Sequence, residues 1–352
     1  MPTAPTPAAT ASIDAFVDAV RRSVDARLTA VLDRMEALTQ ELAPATLPVL
    51  RAARDLTLRG GKRLRPALLF AAVECAEPGA FPEAAADLGA ALELLQTYLL
   101  VHDDWMDGDA VRRGAPSVHI ALGKHYADDH VGAATAILTG DLMGSLVHEL
   151  VAQVELPADR RRDVTATFSR MEYEVILGQC LDVTHSDDVT RIHHLKTGSY
   201  TVRGPLRLGL GVAGAGEDAR RALEAYGEPL GVAFQLRDDV LGAFGSEAET
   251  GKPVGGDFRE GKKTELVRWA MTHLDAKGQS ELGSILGRRD ATEADIERAR
   301  ALITASGARE HVEEQIRGLR AKCLDALDVQ CLLPEGKARL AAFATLLTER
   351  KR

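Results

Sequence analysis

The stretch Leu94-Leu95-Gln96-Thr97-Tyr98-Leu99-Leu100-Val101-His102-Asp103-Asp104-Trp105-Met106-Asp107 reads as an apolar helix that ends in three carboxylates. Residues four apart lie on one helical face, so Asp103 and Asp107 point the same way, with Asp104 beside them. Three like charges this close repel, and the C-terminal end of a helix already carries partial negative charge. A cation is implied. Hard cations with oxygen ligands fit best, and Mg2+ held by one or two carboxylates while it also holds substrate phosphates is the usual arrangement. A solvated acidic helix end is the plainer reading of one isolated Asp-Asp-x-x-Asp. A second acidic pair tips the balance, because Asp238-Asp239 follows another apolar helical run, Leu230 to Arg237, and again brings carboxylates to the end of a buried helix.

The rest of the chain obeys helical spacing. From Ile13 to Leu42 the apolar positions Phe16, Val17, Val20, Val24, Leu28, Val31 and Leu32 recur three and four apart, which predicts one or two amphipathic helices. Strand signals are nearly absent. Gly60-Gly61, Pro78-Gly79, Gly114 with Pro116, Pro157, Gly198, Gly204-Pro205, Gly214 to Gly216 and Gly251 to Gly256 punctuate helices instead. With neither a repeat nor a linker in view, the expectation is an all-α single domain over residues 13–352, preceded by a flexible Pro/Thr/Ala-rich tail over 1–12. That tail lacks the basic start and apolar core of a signal peptide. No apolar run reaches the ~20 residues of a membrane span. A formal charge of −9 without a long Lys/Arg run argues against a nucleic-acid partner. Cys75, Cys180, Cys323 and Cys331 are scattered in apolar helical contexts, which predicts reduced core thiols in a cytoplasmic protein.

Two basic segments stand beside the acidic ones. In Gly60-Gly61-Lys62-Arg63-Leu64-Arg65-Pro66 the glycines free the backbone and Pro66 suits the first turn of a helix. Lys62 and Arg65, three apart, could face one anion at that helix start, although a solvated basic turn would look the same. Beyond Asp107, Arg112-Arg113 carry planar forks suited to bidentate phosphate contacts. The alternative is that they neutralise Asp107 and Asp109. Asp128-Asp129 and Asp187-Asp188 follow no apolar helix and are assigned to loops.

Gly-Gly-Lys-Arg-Leu-Arg-Pro, then His-Asp-Asp-x-x-Asp followed by Arg-Arg-Gly, then Lys196-Thr197, then Phe234-Gln235-Leu236-Arg237-Asp238-Asp239, then Gly251-Lys252, in this order, closely resembles the trans-isoprenyl diphosphate synthases, or polyprenyl synthetases. The resemblance runs from about Ile13 to the C-terminus, and implies an isoprenoid-synthase helical bundle around one central cavity, with the two acidic motifs facing each other. It implies a Mg2+-dependent prenyltransferase, about three ions per site, joining isopentenyl diphosphate to allylic diphosphates (dimethylallyl, geranyl, farnesyl). It also implies a homodimer. Asp103 and Asp107, with Asp104 nearby, would hold metal ions on the allylic diphosphate, and Asp238, beside Asp239, another. Lys62, Arg65, Gln96 and Arg113 would bind isopentenyl diphosphate, while Arg112, Lys196, Thr197, Gln235 and Lys252 would line the allylic side, with Lys262 a further cation. Gly178-Gln179-Cys180-Leu181-Asp182 matches a family pattern that faces the cavity.

The chain departs from the pattern at Gly242, where relatives often complete a second Asp-Asp-x-x-Asp. That removes an outer carboxylate and leaves the role of Asp239 open. His102 is read as a packing residue, since in the family the departing diphosphate takes the proton. His193 and His194 are read as surface residues. For product length, a helical wheel places Leu99, Gln96 and Leu95 beneath Asp103 and turns Tyr98 aside. The resemblance chooses Tyr98: a single aromatic five before the motif, with Leu99 at four before, is similar to the geranylgeranyl (C20) type. A farnesyl (C15) synthase is the alternative. A class I terpene cyclase binds one diphosphate and is normally richer in aromatics than the 4% here, and a silent partner subunit would have lost its acidic motifs.

Overall fold

The computed structural model describes residues 7–77, 79, 82–184, 186, 188–245 and 255–349. In chain order its helices are α1 (Pro7–Leu42), α2 (Leu47–Leu58), α3 (Leu64–Glu74), α4 (Glu83–Asp107), α5 (Val118–Tyr126), α6 (Asp129–Gln153), α7 (Ala158–Val183), α8 (Val189–Ile192), α9 (Gly204–Ala213) and α10 (Glu217–Phe244). The short α8 runs into a wider, π-helical stretch, His193–Arg203. Shorter helices follow at Gly256–Glu260, Glu265–His273, Ala276–Ile285, Glu293–Ala305, Ala308–Ala326 and Pro334–Glu349. Among the described residues the strands are Val111–Arg112 and Ala115–Pro116, paired antiparallel. The predicted N-terminal helix is thus a single one, and it starts at Pro7, inside the stretch expected to be tail.

The chain divides into two compact units, Met1–Glu172 with Tyr200–Glu224 and Val329–Ala342, and Tyr173–Ser199 with Ala225–Asp328 and Phe343–Arg352. No linker marks the division, which falls inside α7 and inside α10. In the first unit α4 is the spine, buried from Ala84 to Thr97 except at Ala86 and packed against α1, α3, α5, α6 and α9. By length and hydropathy α4 could span a membrane, contrary to the expectation from uninterrupted apolar runs, yet 72% of its most apolar window is buried in the protein. Asp87 and Glu93 interrupt it, and each is ion-paired, to Arg27 and to Arg63. A charge so paired is tolerated inside a protein core. The second unit has its own core, where Leu236 and Val240 of α10 meet Phe258, Leu266, Leu282, Ile296, Ile303 and Val312.

Two further expectations are corrected. Asp128 and Asp129 begin a helix: the Asp128 carboxylate accepts from the His130 and Val131 amides and caps α6. Asp188 likewise accepts from the Arg191 amide, while Asp187 lies outside the described residues. Cys75 and Cys323 are core thiols as expected, but Cys180 and Cys331 are exposed: helical periodicity alone cannot say which face of α7 meets a neighbour, and Cys331 lies in a turn between two helices.

Candidate active site

Helix α4 ends as the sequence predicts, at Asp107, with Gly108 in the left-handed conformation (φ 73°) closing the turn and no basic residue in the last turn to offset the helix dipole. The three carboxylates have unlike surroundings. Asp103 and Asp107 are half-buried, whereas Asp104 is sealed from solvent. Arg112 reaches back from the short hairpin, its Nε donating to Asp104 Oδ1 at 2.6 Å and its Nη2 to Asp109 Oδ2 at 3.0 Å. The same Nη2 lies 3.6 Å from Asp103 Oδ2. Burial works against its charge, but the bonds to Asp104 and the nearby Asp103 and Asp109 hold Arg112 above the ordinary arginine range. Arg112 therefore neutralises acidic neighbours, Asp104 and Asp109 foremost. Asp104 Oδ2 remains buried with no hydrogen-bond partner.

The basic loop ahead of α3 is built to be rigid. Gly60 and Gly61 have φ of 69° and 114°, conformations open to glycine, and Arg63 follows at 51°. A left-handed non-glycine residue is strained by roughly 1–2 kcal/mol. Arg63 is held there by bonds from its guanidinium to Asp25 Oδ1 (2.8 Å), Glu93 Oε2 (2.5 Å) and the Thr57 carbonyl (3.0 Å). Sequence reasoning passed over Arg63 in favour of Lys62 and Arg65, since its partners lie far off in the chain. Lys62 is exposed. Arg65 stacks its guanidinium 4.5 Å from the Tyr200 ring centroid and donates Nη2 to Thr201 Oγ1 at 3.1 Å, while its Nε is buried without a hydrogen-bond partner.

Arg113 closes the loop from the other side. Its Nη1 donates to the Leu56 carbonyl at 2.9 Å and reaches those of Arg59 and Gly60 at 3.4 Å, capping the end of α2. Burial pushes its pKa down, as do Arg63, Arg65 and Arg112 nearby, with only Glu93 opposing. Arg113, set among three other guanidiniums that disfavour its charge, marks a place where an anion is welcome. Gln96, from the buried face of α4, also keeps an unpaired, buried Oε1.

His102 packs as expected. Its Nε2 donates to the Ile137 carbonyl at 3.0 Å, its ring meets Tyr98 edge-on at 4.9 Å, and a Cβ at Gly140 of α6 would overlap it.

In the second unit Lys196 lies in the π-helical stretch and donates Nζ to Asp182 Oδ2 at 2.6 Å. Gly178 lets the backbone of that stretch pass close to α7, since a Cβ there would stand 2.5 Å from the Lys196 amide nitrogen. Wide π-helical turns are uncommon and recur at functional sites. The Thr197 side chain and Lys252 lie outside the described residues. His194 is half-buried and meets Glu228 at 3.0 Å, rather than standing on the open surface.

Asp238 and Asp239 do not end their helix, as the sequence implied; α10 continues to Phe244. Asp238 is half-buried and Asp239 buried. Gln235 Nε2 donates to Asp239 Oδ1 at 2.8 Å, yet burial, with Asp257 and Glu265 nearby, pushes the Asp239 carboxyl up to about 7. Arg237, to which no role fell from the sequence, grips Glu313 with both ends of its fork (2.8 and 2.6 Å) and donates Nε to the Thr348 carbonyl at 2.7 Å. It fixes the rotation of α10 that presents Asp238. Lys262 pairs with Glu260 at 2.7 Å and Asp257 at 3.5 Å.

Among the described residues no three His, Cys, Asp or Glu side chains form a ready metal cage. The donors at both motifs are carboxylate oxygens, which suit Mg2+, an ion that takes one or two carboxylates and completes its shell with substrate phosphates and water.

A family model described as polyprenyl synthetase matches residues 48–303. Among curated proteins the chain is 31% identical over 336 residues to a geranylfarnesyl diphosphate synthase of Aeropyrum pernix, covering 91% of this chain and 98% of that one. To a geranylgeranyl diphosphate synthase of Methanosarcina mazei it is 32% identical over 327 residues, 90% and 95% of the two chains. Among solved structures it matches a geranylgeranyl pyrophosphate synthase from Corynebacterium glutamicum, complexed with isoprenyl diphosphate and magnesium, at a TM-score of 0.87 and 34% identity, over 96% and 99% of the two chains. With all-α architecture, ordered motifs and coverage in agreement, the chain belongs to the polyprenyl synthetase family.

Proposed function

We propose that this prenyltransferase condenses isopentenyl diphosphate head-to-tail with dimethylallyl, geranyl and farnesyl diphosphates, and releases all-trans geranylgeranyl diphosphate (C20). The observation that carries the reading is the juxtaposition at the end of α4. Half-buried Asp103 lies near Arg112, with half-buried Asp107 one helical turn further on, while Arg65 and Arg113 gather at the Gly60-Gly61 loop, where neighbouring guanidiniums help lower the Arg113 pKa. Asp103 and Asp107, and separately Asp238, would hold Mg2+, about three ions in all; bound there, the metal neutralises charge on the diphosphate leaving group.

The chain's own groups do the rest. Lys62, Arg65, Gln96 and Arg113 bind isopentenyl diphosphate, and Arg112, Lys196, Thr197, Gln235, Lys252 and Lys262 serve the allylic substrate. When the allylic C–O bond breaks, the electron pair leaves with the diphosphate. The isopentenyl double bond then attacks the allylic carbon, a C–C bond forms, and a proton is lost to the departed diphosphate. No side-chain base is assigned: His102, beside the motif, is engaged with the Ile137 carbonyl. Preorganised cations act at the developing charge, the step where such contacts contribute most.

Action as a cytoplasmic homodimer is part of the proposal, supported by family membership. Incubation of the full chain with isopentenyl and dimethylallyl diphosphates and Mg2+, followed by mass spectrometry, tests the reading. A C20 diphosphate is expected, and a cyclic hydrocarbon or no elongation would overturn it.

A further inference from the structure

Cys75 caps the C-terminal end of α3, and a segment remote in sequence folds directly over it. The Leu333 amide donates to the Cys75 carbonyl at 2.9 Å. Arg339 grips the preceding residue, Glu74, its Nε 3.0 Å from Oε2 and its Nη2 3.4 Å from Oε1. Gly336 seats against the thiol itself, since a Cβ there would stand 2.6 Å from Cys75 Sγ. All of these residues belong to the first unit.

Cys331 lies in the turn that leads into this contact, two residues before Leu333. Successive Cα atoms are ~3.8 Å apart, so the Leu333 bond holds Cys331 no more than two such steps from a residue already touching Cys75. A disulfide spans Cα atoms ~4.4–6.8 Å apart. The turn is also held from within, because Lys337 donates Nζ to the Val329 carbonyl at 2.8 Å. Cys331 and Lys337 both act electrostatically on the Cys75 thiol, in opposite directions, which puts all three in one neighbourhood. The two thiols differ in access: Cys75 is fully buried and Cys331 is exposed. Cys180 and Cys323 belong to the second unit.

We propose that Cys75 and Cys331 are a redox pair, in which Cys331 meets the oxidant and Cys75 resolves it into an intramolecular disulfide. The oxidant is a low-molecular-weight disulfide of the glutathione type. The Cys331 thiol gives up its proton and attacks one sulfur of that molecule, whose S–S bond breaks, and the first small thiol leaves with the proton. The Cys75 thiol then gives up its proton and attacks Cys331 Sγ, the mixed disulfide breaks, and the second small thiol leaves with that proton. Two protein thiols are oxidised and one small disulfide is reduced to two thiols. Burial that keeps Cys75 protonated slows the second step, yet it also favours the closed form, because the reduced state gains nothing from ionising. The bridge staples the end of α3 to the turn ahead of the helix Pro334–Glu349.

The test treats the full chain with glutathione disulfide and follows it by intact-mass and peptide mass spectrometry, with thermal melting by circular dichroism. At pH 8 the wild type should pass through a glutathione adduct on Cys331 to a peptide linking Cys75 with Cys331, and its thermal midpoint should rise until dithiothreitol reverses both. Because Cys75 is pushed up to about 12, its thiolate should gain ~10-fold per pH unit between pH 7 and 9, and closure of the adduct should quicken in step. Cys331→Ser, at an exposed position, should fold, leave Cys75 free and show no shift of midpoint on oxidation. An adduct on Cys331 that persists at pH 9, or a link between the Cys331 thiols of two chains, overturns the pairing. So does an oxidised wild type in which Cys75 stays free.

Discussion

Arg63 and Glu93 meet at 2.5 Å, Nη1 to Oε2, with the side chains only 2% and 4% exposed. This buried pair joins the loop of Gly60 and Gly61 to the middle of α4, two turns and more before Asp103, and so couples the basic segment to the acidic helix within one unit. Breaking such a pair leaves a buried charge unsatisfied and typically costs ~3–5 kcal/mol. Arg63→Ala is therefore expected to lower stability by that order in urea titration. Arg63→Lys should recover little, because a single ammonium cannot serve Asp25, Glu93 and the Thr57 carbonyl at once.

The two neighbouring aspartates of the first motif should separate cleanly. Asp103→Ala is expected to leave a folded protein with turnover down at least ~100-fold, as for other losses of a transition-state charge contact. Asp238→Ala should behave alike. Asp104→Ala strips Arg112 of its closest carboxylate and should show a drop in thermal midpoint as well. Paired measurement of kcat and melting temperature distinguishes the two patterns.

Much of this was legible in the sequence because it is local. The apolar run of α4, its end at Asp107, and the i to i+4 relation of Asp103 and Asp107 follow from helical spacing alone. What escaped depends on contacts between distant segments. Arg63 owes its role to Asp25 and Glu93, and Arg237 to Glu313 and Thr348. Exposure of Cys180 and Cys331 escaped for the same reason: burial is a property of neighbours, and apolar sequence context does not name them.

Lys62→Ala and Arg113→Ala should both raise KM for isopentenyl diphosphate more than for the allylic substrate. Their stabilities should differ. Lys62 is exposed, whereas Arg113 holds carbonyls at the end of α2, and hydrogen bonds of a charged group to such sites are typically worth ~1.5–3 kcal/mol. Equal effects on both substrates would refute the division between the two diphosphate sites.

Thiol chemistry provides a check on burial. Cys75 and Cys323 are pushed up to about 12 by desolvation, so at pH 8 almost none of either is thiolate. Only the thiolate is nucleophilic. Iodoacetamide at pH 8 should label Cys180 and Cys331 and spare the other two, with all four reacting in guanidinium. Raising pH toward 9 should still leave Cys75 and Cys323 unlabelled while the protein stays folded.

Product length turns on which residue of α4 stops the growing chain. Leu95 is sealed in the core, while Tyr98 and Leu99 are half-buried. Tyr98 stands edge-on to His102 at 4.9 Å, and a Cβ at Gly144 of α6 would lie 3.9 Å from its Cδ2. The ring is thus aimed along α6, over a glycine that leaves it room, and is not directly beneath Asp103, in keeping with the helical wheel. At ~1.5 Å of rise per residue it sits about 7.5 Å below Asp103, deep enough for a prenyl chain to grow before contact. Tyr98→Ala is expected to lengthen the C20 product by one or more isoprene units, read by mass spectrometry. Gly144→Ala would set a Cβ in ordinary van der Waals contact with the ring and should leave both the product distribution and metal affinity unchanged. If Tyr98→Ala still stops at C20 and Leu99→Ala lengthens the product instead, the floor lies at Leu99, directly beneath the metal motif, and the helical wheel had chosen correctly over the family pattern.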